Sequence, residues 1–361
     1  MIQAKTLQAE WVNELRNSTF KGSDPALIEK MIYAFYLLEN LVKQDIDFVF
    51  KGGTSLILIT GESARFSKDI DISTEIDRET LEDKLSKLVE SSEFTKFELD
   101  ERRSYKIDGI PKAHYFFEYK SAFNKSANSV LLDILFHPNE YPEVTELEIK
   151  TPVLFTEEPY LKVLMPTVNT ILGDKLTAFA PNTTGVPYNK RKELEIIKQL
   201  FDVSRLINIS TDYELVFQSY QSIVKSEIGF RDLKIDSKGV LMDTIQTCLL
   251  IAKRERNKKE ELKKFNEIQK GLRSFTSHTI GSKFRIDQAI ESAAKIAWFA
   301  SRLLIGNFKE IKLYDSEIDL SEFEFKTVDL SFLNKLKKTN TAAFYYWYNC
   351  IEELNRKNLK I

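Results

Sequence analysis

The fold of this chain turns on residues 50–73, FKGGTSLILITGESARFSKDIDIS. The stretch opens on a short β-rich run that ends in Gly52-Gly53, continues as the apolar TSLILITG, and closes on KDIDIS. KDIDIS alternates polar and apolar residues, which is the periodicity of a strand, so Asp69 and Asp71 share one face while Ile70 and Ile72 share the other. Two carboxylates held close on one face repel each other and call for a cation. Oxygen-only ligands of that kind suit Mg²⁺ or Mn²⁺, which bring substrate phosphates with them. The plain alternative is a solvated edge strand. Upstream, glycines at a strand-to-helix turn let backbone N–H groups approach an anion, and the N-terminus of the helix adds partial positive charge. The hydroxyls of Thr54 and Ser55 are positioned in sequence to donate to the same phosphate, the alternative being an ordinary capped turn. No GK[ST] follows, so this is neither a Walker A loop nor a GxGxxG fingerprint.

Working outward, PALIEKMIYAFYLLENLVKQ (residues 25–44) carries apolar residues at helical spacing behind a Ser-Asp-Pro start signal. Downstream, LEDKLSKLVESS reads as a helix, and the segments 96–107, 113–123 and 128–137 read as strands. Helices and strands in this order predict an α+β core with a mixed sheet. After Pro166 the character changes. Residues 169–180, 190–207, 212–228, 241–272, 286–304 and 341–360 all favour helix, with Ile286, Ile290, Ala293, Ala297, Phe299 and Leu303 approximating one apolar face. The expected organisation is therefore a mixed domain over residues 1–203 followed by an α-helical bundle over residues 204–361.

At 361 residues the chain is long enough for two cores, and 12% aromatic residues argue against disorder. A formal charge of −2 excludes a global field that would recruit nucleic acid or anionic membrane, so any such binding needs a local patch. Cys248 and Cys350 lie in apolar helical contexts without CxxC spacing and read as buried thiols in a reducing compartment. The polar start and the lack of a long apolar run predict a cytoplasmic protein with no membrane segment.

A third acid stands out. Asp133 sits inside VLLDILF, flanked by aliphatic residues, where a charge is costly unless it is paired or metal-bound. An ion pair with a core lysine or arginine is the alternative to a catalytic role. A glycine-rich turn opening a helix, a DxD strand and a third carboxylate on a neighbouring strand together resemble the polymerase-β-type nucleotidyltransferase superfamily. KGGTSL and RFSKDIDI are more specifically similar to the AbiEii/AbiGii toxin family of nucleotidyltransferases. In that family GGT-A/S-L precedes R-x-S-x-D-[IL]-D. The likeness extends to LGDKLTAF, matching the family's KL-x-A helix at Lys175, and to KQLFDVSRL, matching its LFD helix at Asp202. Gln199 stands where an aspartate or similar polar residue is common before the LFD. The resemblance covers residues 30–207.

It implies a metal-dependent enzyme that moves a nucleotide from an NTP to an acceptor hydroxyl, in a toxin–antitoxin or phage-defence setting with a cognate antitoxin. Asp69 and Asp71 would hold Mg²⁺ (or Mn²⁺) against the triphosphate, and Asp133 would hold a second cation or act as general base. Lys175 would contact the triphosphate, its alternative being a surface helix lysine. Asp202 would orient that lysine or receive a hydrogen bond, and Arg65 and Ser67 would serve the phosphate or the loop.

An RNA acceptor, such as tRNA, needs positive charge beside the site, and Lys190-Arg191-Lys192 is the nearest such cluster in sequence. Residues 253–273 contain nine Lys or Arg against four Glu, but read better as a solvated helix laced with charge pairs. His114 and His137 have no partners at metal-ligand spacing and read as structural, and FYYWY near residue 346 reads as core. Two other readings keep the fold: transfer to a small molecule or protein, and a non-catalytic module that senses a nucleotide or docks a partner.

Overall fold

A computed structural model describes residues 1–104, 110–123, 127–359 and 361. Contacts divide the chain into two compact units, Met1–Thr167 with Ser277–Ser282, and Val168–Thr276 with Lys283–Ile361. The division falls at Thr167, earlier than residue 203, because the helices Val168–Ala178 and Glu193–Ile209 pack on later helices of the second unit.

The first unit begins with α1 (Ala9–Asn17) and α2 (Pro25–Lys43). Asp24 starts α2 by accepting from the Ala26 N–H, and Pro25 supplies a first-turn residue with no N–H to satisfy. There follow β1 (Val49–Lys51), α3 (Gly52–Thr60), β2 (Asp69–Thr74) and α4 (Arg78–Glu90). Gly61, at φ 71°, ends α3 in the left-handed conformation that favours glycine, and Asp77 caps α4 through the Thr80 N–H. β3 (Phe94–Leu99), β4 (Lys112–Lys120) and β5 (Ala127–Phe136) complete a five-stranded sheet of order β1-β2-β5-β4-β3. β2 and β5 run parallel and the other pairs antiparallel, so the sheet is mixed as expected. The strand expected over 96–107 stops at Leu99, and its residues 105–107 lie outside the described ones. A separate hairpin, β6 (Val144–Glu148) with β7 (Lys162–Pro166), has no counterpart in the sequence reading.

Period-two alternation gives the sheet two unlike faces. Ile70, Ile72, Tyr115, Phe117, Leu132 and Ile134 are buried in one apolar cluster with Ile28, Met31, Ile32 and Phe35 of α2. The opposite face carries Asp69, Asp71 and Asp133. A one-residue slip of β2 would bury the acids and expose the isoleucines, so the core fixes the register that presents the site.

The second unit is helical: α5 (Val168–Ala178), α6 (Glu193–Ile209), α7 (Tyr213–Phe230), α8 (Ser237–Lys253), α9 (Lys259–Phe275), α10 (Ile286–Leu304), α11 (Leu336–Thr339) and α12 (Thr341–Asn355). α10 packs against α6, α8 and α12 and is buried almost throughout Ala289–Leu303, so it is the central helix of the bundle rather than one with a single apolar face. The helix expected over 241–272 is broken in two. Arg254 has a positive φ of 54°, and the Asn257 amide donates to the Leu250 and Arg254 carbonyls at the end of the helix. Phe344, Tyr345, Tyr346 and Trp347 are buried core, as are both free cysteines. Among the described residues no helix is long and apolar enough to cross a membrane.

Candidate active site

β1 delivers the chain directly into α3, and the glycine pair sits at that junction. Gly52 has φ +80°, a conformation L-residues rarely adopt. A Cβ at Gly52 would lie 2.0 Å from Asp71 Oδ2 and 2.7 Å from Asp71 Cβ, so the Asp71 carboxylate packs onto bare backbone. A Cβ at Gly53 would lie 2.5 Å from Arg65 Nη2 and 2.9 Å from Ser67 Oγ. The glycines thus bring the turn against the residues that the motif spacing links to it. The two ends of the opening stretch are in contact.

Thr54 and Ser55 are placed differently from the sequence expectation. Both are fully buried. Thr54 Oγ1 donates to the Asp69 carbonyl at 2.6 Å and lies 2.9 Å from Ser67 Oγ. Ser55 Oγ donates to the Gly52 carbonyl at 2.9 Å. Their hydroxyls are committed to tying α3 to β2 and to closing the first helical turn. Arg65 is also buried. It donates from Nη1 to the Phe66 carbonyl, and its backbone pairs with Thr279 in an antiparallel bridge. Through the Phe66 N–H to His278 carbonyl and Ile280 N–H to Ala64 carbonyl bonds, the returning Ser277–Ser282 segment clamps the run that leads into β2.

Strand pairing aligns the acids. Lys51 stands opposite Asp71 on β1, Asp133 stands beside Asp71 on β5, and His114 stands opposite Asp133 on β4. Directly paired residues face the same side, and adjacent strands lie about 4.8 Å apart, so Lys51, Asp71, Asp133 and His114 form one transverse row. Asp69 is two residues before Asp71 on the same face. Asp69, Asp71 and Asp133 are half-buried, which suits groups that must meet a solvated ligand. The partner of Asp133 is not the core lysine or arginine considered from sequence but His114, whose Nδ1 is hydrogen-bonded to Asp133 Oδ1. Burial, and next the Lys68 ammonium, hold Lys30 of α2 below the usual lysine range, while the Asp69 carboxylate pulls the other way. His114 is not marked by any motif spacing. Only the strand register brings it in.

Among the described residues no three His, Cys, Asp or Glu side chains already converge as a metal cage. The donor set nonetheless fits Mg²⁺, which is typically held by one or two carboxylates with substrate phosphates and water completing its shell.

In the second unit, Lys175 on α5 and Asp202 on α6 form an ion pair at 3.2 Å, and both are buried. Gln199, one turn before Asp202, accepts from Lys175 Nζ at 3.3 Å, so the departure from the family pattern still supplies an acceptor to the same lysine. Lys175 is therefore not a surface helix lysine. Lys190, Arg191 and Lys192 are exposed on the loop before α6. In the 253–273 stretch, charge is spent on pairs such as Lys263–Glu260 at 2.8 Å and Lys270–Glu193 at 2.6 Å. His137 contacts the Pro138 carbonyl and stays structural.

No curated protein matches the sequence. Among solved structures, JHP933 from Helicobacter pylori aligns with a TM-score of 0.42 and 15% identity over 77% of this chain and 94% of that one. An antigenic nucleotidyltransferase-like protein from Paracoccidioides brasiliensis aligns with a TM-score of 0.37 and 15% identity over 59% of this chain and 96% of that one. The model of one family, the nucleotidyl transferase AbiEii toxin of type IV toxin–antitoxin systems, matches residues 36–292, which include the glycine pair, all three aspartates, Lys175 and Asp202. With most of its length matched, the chain belongs to the AbiEii nucleotidyltransferase toxin family.

Proposed function

We propose that the sheet face bearing Asp69, Asp71 and Asp133 transfers a nucleotide from an NTP to a hydroxyl of an RNA acceptor, with Mg²⁺ or Mn²⁺ as cofactor. The transverse row that sets Asp71 beside Asp133, with Asp71 lying on the left-handed Gly52, is the observation that carries this reading. Asp69 and Asp71 are the residues that would hold the cation, which supplies neutralisation of the charge developing on the phosphoryl oxygens. The backbone N–H groups at the start of α3 face the anion, and Asp71 is held against that turn by the absence of a Cβ at Gly52. Asp133 takes the proton of the attacking hydroxyl as its oxygen displaces pyrophosphate from the α-phosphorus, or would join the residues that hold the cation. The Lys175–Asp202 pair belongs to the same reading through the family pattern: the lysine supplies a positive charge for the triphosphate and the aspartate, with Gln199, fixes its direction.

The exposed Lys190-Arg191-Lys192 loop supports RNA as the acceptor, because three adjacent cations with solvent access suit a phosphate backbone. Family membership supports a cognate antitoxin as protein partner. The test is incubation with each labelled NTP, Mg²⁺ and total RNA. Label appearing in RNA supports the reading, whereas label only on a small molecule or protein refutes the RNA acceptor. No label transfer with any NTP refutes the enzyme.

A further inference from the structure

We infer that His114 is a positioning residue that fixes the Asp133 carboxylate for the reaction, an inference that rests on the nucleotidyltransferase reading of this sheet face. Along β4 the residues facing away from α2 are half-buried or exposed at Lys112, Phe116, Glu118 and Lys120, yet His114 on that same face is only 8% exposed. A buried imidazole needs partners for its polar atoms, and the strand register points its Nδ1 at Asp133 Oδ1. The backbone of His114 is pinned as well. Its N–H donates to Ser104 Oγ at 3.0 Å, and its carbonyl accepts from the Asp100 N–H at 2.8 Å. The ring is thus held from both sides of its own strand, and through it one oxygen of Asp133 is held. Oδ2 is left as the oxygen for a cation or for the acceptor hydroxyl.

Repulsion from Asp71 on β2 turns the Asp133 carboxylate towards β4, and the His114 bond on that side fixes it in one orientation. Outer partners of this kind typically contribute about 10–100-fold in metal affinity or activity when they are removed.

The test compares wild type with three variants. His114→Phe keeps the ring volume without a donor, His114→Asn returns a donor near the position of Nδ1, and Asp133→Asn removes the group that His114 is argued to position. Circular dichroism confirms folding, the transfer rate and the KM for NTP are measured, and Mn²⁺ affinity is read by electron paramagnetic resonance without turnover. His114→Phe is expected to fold, to lose about 10–100-fold in kcat or in Mn²⁺ affinity with KM for NTP little changed, and to be partly rescued in His114→Asn. If His114→Phe matches wild type in rate and Mn²⁺ affinity while Asp133→Asn is inactive, His114 does not position Asp133 and the active-site reading stands. If His114→Phe only lowers thermal stability, its role is packing and the inference is overturned. If Asp133→Asn is itself fully active, the assignment of the site falls and His114 with it.

Discussion

Replacing Gly52 by alanine perturbs the proposed site where a left-handed backbone meets the Asp71 carboxylate. Two costs can be separated. A residue with a Cβ at φ +80° pays the left-handed penalty, about 1–2 kcal/mol. The new methyl would also sit 2.0 Å from Asp71 Oδ2 and 2.7 Å from its Cβ, so the carboxylate cannot simply swing its tip away, and driving the side chain off its rotamer adds about 0.5–1.5 kcal/mol. Together these amount to a destabilisation of about 1.5–3.5 kcal/mol. Gly53→Ala is the internal control. No positive φ accompanies Gly53, so the left-handed penalty is absent and only the contact with the buried Arg65 guanidinium and the Ser67 hydroxyl opposes the new methyl; a smaller cost than for Gly52→Ala is expected. Urea denaturation gives both values, and the transfer assay should show Gly52→Ala nearly inactive because Asp71 has moved. A Gly52→Ala protein with the stability and rate of wild type would refute the claim that Asp71 rests on this turn.

Further outcomes follow from the second unit. Lys175→Met should destabilise the protein by up to about 3–5 kcal/mol, since it removes the buried cation paired with Asp202, and the Lys175→Met/Asp202→Leu double variant should be more stable than Lys175→Met in denaturant melts. Burial lowers the pKa of Lys295 on α10 from 10.5 to about 8. Because the folded state releases this proton before the unfolded state does, the penalty for burying the charge is fully present below about pH 8. It is relieved as pH rises towards 10.5, so stability gains up to about 3 kcal/mol across that window. Lys295→Met should remove this pH-dependent difference, and identical pH profiles for the two proteins would show that the ammonium is not desolvated. Replacing Lys190, Arg191 and Lys192 together by alanine should reduce the slope of log affinity for RNA against log salt by up to about 2–3, while NTP binding survives. Unchanged slopes would remove this loop from the RNA path.

Much of this site was legible in local pattern because strand periodicity and turn chemistry are local. KDIDIS announces which face holds Asp69 and Asp71, and a glycine pair between a β run and an apolar helix announces a tight turn. What local pattern does not contain is register. That Asp133 stands beside Asp71, and His114 opposite Asp133, depends on which residues of β2, β4 and β5 pair, and pairing is set by the burial of Ile70, Ile72, Leu132 and Ile134 beneath α2. For the same reason the alternative open to Asp133 from sequence is an ion pair with a core lysine or arginine, whereas the fold gives it a histidine. Spacing shows that the hydroxyls of Thr54 and Ser55 lie near the turn but not their direction; in the fold they bond to the Asp69 and Gly52 carbonyls. The unit boundary was displaced because the family-like helices at Lys175 and Asp202 carry site motifs yet bury their apolar faces against later helices. The break in the 241–272 helix falls at Arg254 and Lys259, both with positive φ, which composition does not mark.

The paired aspartates of β2 are the centre of the proposed chemistry. The direct measurement is the rate of nucleotide transfer from labelled NTP in the presence of Mg²⁺ for wild type, Asp69→Asn and Asp71→Asn, with thermal melts alongside. Both side chains are half-buried on the open face of the sheet, so either substitution should leave the melting temperature close to that of wild type. Each should lower the rate by at least about 10²-fold, the usual cost of losing one electrostatic element of this kind. A folded Asp71→Asn protein that transfers nucleotide at the wild-type rate would contradict the account.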